Sequence, residues 1–320
     1  MTEFELDNEQ QAAALIGTAP PGNLPSLVKD LLTLAKARVV SLLVFTAMVG
    51  EILAPDFWHH LIGAQAGLLG IALAGGAGGV LNQLIEPALD QHMQRTRRRP
   101  LANGRIPRAG AIAYALALLC GSVAVLWLWT NTTTLVLTLL GTVGYGVVYT
   151  LYLKPNTPWN IVWGGLAGAL PPLIGWTAVG GAVSALPLSL VALTFVWTPA
   201  HFWPLALYLR EDYAKACIPM LPVTHGVERT RREIVNYAVA TLAVSLLPAL
   251  LGAGALYGAV AAASGIWYLR MTLQLKRMPV GPAMDRYARR VFGASISYLF
   301  LLYATLIVAH LATIAGIHWT

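Results

Sequence analysis

Long stretches without a single Asp, Glu, Lys or Arg recur along the chain, among them residues 61–85, 109–129, 132–153 and 160–179. About 20 apolar residues in a row suffice to cross a hydrocarbon core of roughly 30 Å. Such stretches need lipid or a deep core as their solvent. The composition decides between the two. Of 320 residues, 57% are hydrophobic and 11% are charged, against roughly 25% charged in an average soluble domain; mean hydropathy is +0.64. A soluble enzyme, a secreted disulfide scaffold and a disordered chain are all excluded. Cys120 and Cys217 are too few to form a disulfide framework.

The expected fold is all-α: a polytopic bundle of nine transmembrane helices around a central cavity open to the cytoplasmic side. The spans are expected at residues 39–54, 61–85, 109–129, 132–153, 160–179, 182–209, 234–251, 253–271 and 291–317. Merging the pair around Gly252 would give eight. Residues 1–30, with Glu3, Glu5, Asp7 and Glu9 followed by Pro20, Pro21 and Pro25, read as a flexible cytoplasmic tail. Residues 31–320 read as one membrane domain.

Basic residues bias loops toward the cytoplasm. With nine spans, all 21 Lys and Arg fall on one side, and the other side carries only Glu51 and Asp56. The N-terminus is therefore expected inside and the C-terminus on the opposite face. The net charge of +7 follows from this topology and from attraction to anionic lipid; it does not call for nucleic acid.

Three polar clusters lie at the inner ends of the spans, where ionisable groups are costly and functional suspects. In the first, Asn82, Glu86 and Asp90 recur at i, i+4 and i+8, along one helix face. Two carboxylates and an amide oxygen suit Mg²⁺, which takes few protein ligands and completes its shell with water and phosphate. Arg95 to Arg99 follow, and guanidinium forks bind phosphate oxygens. Pro87 is expected to open the helix there. The second cluster runs from Tyr149 to Asn160 and offers Lys154 as a phosphate-binding cation. The third holds His201 between Pro199 and Pro204, with Trp197 and Trp203 nearby, followed by Glu211 and Asp212. His201 could bind a metal, bond an acidic substituent or be a satisfied buried histidine.

The Asn82/Glu86/Asp90 pattern resembles the first acidic motif of the UbiA-type intramembrane prenyltransferases. Narrower strings resemble the heme-farnesylating branch of that family: Asp90-x-x-Met93-x-Arg95-Thr96-x-x-Arg99-Pro100, Gly164-Gly165 with Pro171-Pro172, and His201-Phe202-Trp203 followed by Asp212-Tyr213 and Ile218-Pro219-Met220-Leu221-Pro222. Lys36-Ala37-Arg38 is similar to the family's Lys-Pro-Arg. Glu86 stands where an aspartate is usual, and Ala216 where relatives often carry a second aspartate.

The resemblance implies transfer of a farnesyl group from farnesyl diphosphate to a vinyl group of heme B. Water adds, and heme O and diphosphate result. It implies Mg²⁺ held by Asn82, Glu86, Asp90 and Asp212, and diphosphate held by Arg95, Arg99, Lys154, Lys36 and Arg38. It also implies a heme pocket drawing on His201, Trp197, Trp203 and Tyr149. Heme B is then substrate rather than cofactor, and the location is the bacterial inner membrane. A second copy, a heme A synthase or a terminal oxidase are the candidate assembly partners. The alternatives are a quinone-precursor or chlorophyll-like acceptor and, from another class, a transporter with repeated halves and broken spans.

Overall fold

The computed structural model describes residues 24–86, 96 and 98–316, and these form helices joined by short loops. The elements are α1 (Leu24–Leu34), α2 (Ala37–Leu53), α3 (Leu61–Ile85), α4 (Arg108–Trp129) and α5 (Thr132–Val143), the last continuing through a π-helical stretch, Gly144–Leu153. They are followed by α6 (Asn160–Ala169), α7 (Pro171–Ala178), α8 (Ala185–Tyr208), α9 (Arg210–Lys215), α10 (Gly226–Ser245), α11 (Gly254–Arg277) and α12 (Pro282–Ile314). No strand occurs among the described residues.

By length and composition seven helical segments could cross a membrane, or eight if the bent pair α1–α2 counts as one. One of the seven, Gly226–Arg277, is 52 residues long, far beyond the thickness of a bilayer at 1.5 Å per residue. Its backbone leaves the helix at Gly252, with φ of 104°, and its halves α10 and α11 pack against each other.

Several boundaries differ from the sequence expectation. Residues 24–30, expected in the tail, belong to α1, where Asp30 accepts two hydrogen bonds from the Arg105 guanidinium. α10 and α12 each start eight or nine residues before the apolar run, because amphipathic charged turns extend them beyond it. In these turns Arg231 is buried and donates to the Leu275 carbonyl, and Arg210 clasps Asp285. The Pro171-Pro172 pair divides the segment Asn160–Ala178 into α6 and α7.

Glycines set how closely the helices approach. A Cβ on Gly50 would run into the Pro172 carbonyl, and one on Gly175 into the Ala47 carbonyl. α2 and α7 therefore meet backbone to backbone. α8 stays continuous through Pro199 and Pro204. Pro204 has no N–H for the Ala200 carbonyl, and the buried Tyr268 hydroxyl donates to that carbonyl instead, at 2.7 Å.

Candidate active site

The site begins at an elbow. α1 and α2 are bent by 57°, and the turn is made by Lys36 in the left-handed region (φ 52°, ψ 45°). A side chain here is unfavourable for the backbone, and such strain gathers at functional positions. The Leu34 carbonyl freed by the bend accepts from Gln83 Nε2 at 2.8 Å. Gly79 lets the elbow lie close on α3, since a Cβ there would be 3.1 Å from the Ala35 carbonyl oxygen.

α3 ends at Ile85, and Glu86 caps it with φ of −110° and ψ of 27° while donating its N–H to the Asn82 carbonyl at 3.2 Å. The residue before a proline is steered out of helical geometry, so Pro87 accounts for the stop. Asn82 and Glu86 are both buried. Asp90 and Arg95 lie outside the described residues.

Across from them the π-helical stretch brings Tyr145, Tyr149, Thr150 and Lys154 to the same place. A widened turn pairs i with i+5, and the Thr150 hydroxyl indeed donates to the Tyr145 carbonyl at 2.9 Å. Lys154 Nζ donates to Glu86 at 2.6 Å. Lys36 Nζ donates to Asn82 Oδ1 and, at 2.8 Å, to the Tyr145 hydroxyl. Asn82 Nδ2 in turn donates to the Thr150 hydroxyl at 3.3 Å. The Tyr145 and Tyr149 rings stack with centroids 5.7 Å apart. The two oxygen donors expected to hold a cation thus each face an ammonium, which shows that the donor set attracts positive charge.

From Lys36 and Tyr145 an apolar slot of about 160 Å³ leads away between α2, α3, α5 and the α6–α7 break, lined among others by Val40, Leu43, Ile71 and Gly78. Its walls are thin because glycines line it.

Arg99 is partly buried, and its N–H bonds to the Thr96 carbonyl at 2.9 Å. Arg38 is exposed, and its carbonyl accepts from the Ser41 hydroxyl. Asp212 sits half-buried on α9. Among the described residues no three His, Cys, Asp or Glu side chains converge on a point.

His201 occupies a separate stack. Its ring lies between Trp197 (centroids 4.2 Å) and Phe292 (4.5 Å). Ser295 donates its hydroxyl to the Phe292 carbonyl at 2.6 Å, so its oxygen accepts from His201 Nδ1–H, also at 2.6 Å. That fixes the tautomer and leaves Nε2 as a lone pair. Trp197 Nε1 donates to the Ser295 carbonyl. Trp203 is not in this stack: it is fully buried, edge-on to Trp159 and Tyr237. Tyr149 lies with Tyr145 rather than with His201. The thin helix α6 separates the two groups, with Gly164 against the Tyr149 ring and Gly165 against Thr198 of α8.

Sequence reasoning passed over Tyr145, Phe292 and Ser295, and gave Gln83 and Thr150, which lie within the first and second clusters, no role of their own. Tyr145 and Thr150 share a face only through the widened turn, and Phe292 and Ser295 come from a helix more than ninety residues downstream of His201.

Residues 43–296 match the UbiA prenyltransferase family. The chain is 45% identical over 280 residues to a protoheme IX farnesyltransferase of Azorhizobium caulinodans, covering 87% of this chain and 91% of that one. It is 42% identical over 317 residues to the protoheme IX farnesyltransferase of Parvibaculum lavamentivorans, covering 99% and 98%. Among solved structures, a UbiA homolog from Archaeoglobus fulgidus bound to GPP and Mg²⁺ superposes with a TM-score of 0.61 at 18% identity, over 87% of this chain and 99% of that one. The same fold, the matched span and the close relatives agree, and the chain belongs to the UbiA prenyltransferase family.

Proposed function

We propose that the chain transfers the farnesyl group of farnesyl diphosphate to a vinyl group of heme B, giving heme O and diphosphate. The observation that carries this reading is the 45% identity, across most of both chains, to a protoheme IX farnesyltransferase. The geometry around Glu86 supplies the chemistry that such a reaction needs.

The reaction breaks the bond between the farnesyl C1 and the diphosphate oxygen, and the electron pair leaves with the diphosphate. A vinyl carbon bonds to C1, water adds to the neighbouring carbon, and a proton is released. Lys36 and Lys154, joined by Arg95 and Arg99, hold the diphosphate oxygens; charge placed where it develops in the transition state acts strongly in a site that excludes water. Arg38, being exposed, is a weaker candidate for this work. Asn82 and Glu86, with Asp90 and Asp212, are the residues that would hold Mg²⁺, which when bound neutralises the leaving group.

The slot beyond Tyr145, about 160 Å³, takes the head of the isoprenoid chain, since a cavity near that size holds about one benzene ring, and keeps water from C1. His201, with Nε2 free and its ring clamped, is the heme-facing group, with Trp197 beside it. Tyr149 lines the other side of the Gly164–Gly165 wall, and Trp203 supports the fold behind.

Counting α1–α2, α10 and α11 each as one crossing, we read nine spans within a single domain that begins with α1 rather than at residue 31. The chamber opens to the basic, cytoplasmic face of the bacterial inner membrane, and the C-terminus lies opposite. The test is chromatography of hemes from membranes that express this chain and are supplied with farnesyl diphosphate. Heme O is expected; prenylated quinone precursor without heme O overturns the acceptor assignment.

A further inference from the structure

At the end of the bundle opposite Glu86 lies a second cavity of about 560 Å³, within the roughly 300–1,000 Å³ of small-molecule sites. α3 runs 25 residues between the two ends, roughly 37 Å at 1.5 Å per residue. The far cavity is therefore not an extension of the transferase site. Its walls include Trp58, His59 and His60, the first turn of α3, and Trp129, Asn131 and Gly180.

His60 is set as a ligand would be. Its Nδ1 lies 3.1 Å from the Asp56 carbonyl. A carbonyl only accepts, so Nδ1 carries the proton and Nε2 keeps its lone pair. Histidines that bind metals commonly donate their other N–H in this way, which fixes tautomer and ring orientation. Gly180, with φ of +84°, faces the same ring across open space, where an added Cβ would come within 3.6–4.0 Å of three ring atoms.

The rest of the donor set decides the class of ligand. Among the described residues no three His, Cys, Asp or Glu side chains gather here or elsewhere, so a bare ion that needs three or four protein donors is poorly served. A metal that brings its own four equatorial nitrogens needs only an axial imidazole. Trp58 and Trp129, both more than half exposed, present indole surface to a flat apolar ring.

We propose that this cavity is a second, non-catalytic iron-porphyrin site with His60 as axial ligand. The choice of an iron porphyrin rests on the heme-farnesylation reading; the ligating geometry of His60 does not. All 21 Lys and Arg lie on the other side in the nine-span topology, so the propionates face water and take no part in recognition.

The test is titration of the purified full-length protein in detergent with hemin, following the Soret band, alongside a farnesyl-transfer assay on the same samples. Wild type is expected to take up one more equivalent than His60→Gly. In that variant affinity at this site falls by about tenfold or more, and imidazole restores the band. Farnesyl transfer by His60→Gly stays near the wild-type rate, and hemin dimethyl ester fills the site as well as hemin. Equal stoichiometry and identical spectra for wild type and His60→Gly overturn the proposal, whatever the transfer assay shows. His60-dependent uptake in a protein that transfers no farnesyl group supports the site and overturns the transferase reading instead.

Discussion

The Lys154 ammonium lies 2.6 Å from the Glu86 carboxylate, and the two side chains are only 15% and 7% exposed. Removing one partner of such a buried pair costs about 3–5 kcal/mol, because the other charge stays unpaired. Glu86→Gln keeps a hydrogen-bond acceptor but not the charge. It is expected to leave the protein in the membrane while slowing heme O formation by about 10²–10³-fold. Glu86→Ala is expected to lose thermal stability as well. Turnover assays beside a detergent melting curve separate the two effects, and near-normal turnover by Glu86→Gln would remove the carboxylate from the mechanism.

Asp90→Asn is expected to abolish heme O formation without loss of membrane protein. Excess chelator should stop the wild-type reaction, and added Mg²⁺ should restore it. Full activity in chelator contradicts the metal assignment.

Lys36 holds a left-handed backbone and two hydrogen bonds from its ammonium. Lys36→Gly relieves the strained conformation, which costs of order 1–3 kcal/mol, yet deletes the cation. The lost hydrogen bonds to Asn82 and Tyr145 offset that relief, so the variant is expected to stay folded in the membrane while its KM for farnesyl diphosphate rises about tenfold, the worth of one charge-assisted hydrogen bond at roughly 1.5 kcal/mol. An unchanged KM would place Lys36 in the fold alone.

Ser295 is the acceptor that fixes the His201 tautomer. Ser295→Ala frees the imidazole, and losing a contact of this orienting kind typically costs 10–100-fold in binding to a metal centre. The expected result is a raised KM for heme with the KM for farnesyl diphosphate unchanged. Equal changes in both would show a packing role only.

A methyl group at Gly164 would run into the Tyr149 ring. Overpacking of this kind costs typically 1–3 kcal/mol. Gly164→Ala is expected to lose activity, and Tyr149→Ala in the same chain to recover the stability but not the rate. The double variant melting no higher than Gly164→Ala would mean that the clash lies elsewhere.

Much of this fold was legible in hydropathy alone. α3 has the very limits, 61 and 85, expected for that span, because both ends are marked by a change of solvent. The charged ends of α10 and α12 were not legible, since Arg231 and Asp285 are held by distant partners rather than by the local pattern. For the site, Asn82 and Glu86 were readable as neighbours one helical turn apart. Their pairing with Lys36 and Lys154 depends on two other helices, and the His201–Phe292 stack on a third. Helical spacing cannot reveal contacts of that range.

The backbone seam at Gly50 and Gly175 has a bearing on how the chamber works. Two helices that touch without intervening side chains have no rotamer between them to change, so the contact is set by backbone alone. Gly50 lies 14 residues along α2 from Lys36, roughly 21 Å, so the seam sits well away from the diphosphate site. Lys36 makes the elbow at the other end of the same helix. The tightest packing of α2 and the cation that meets the diphosphate thereby fall at opposite ends of one helix.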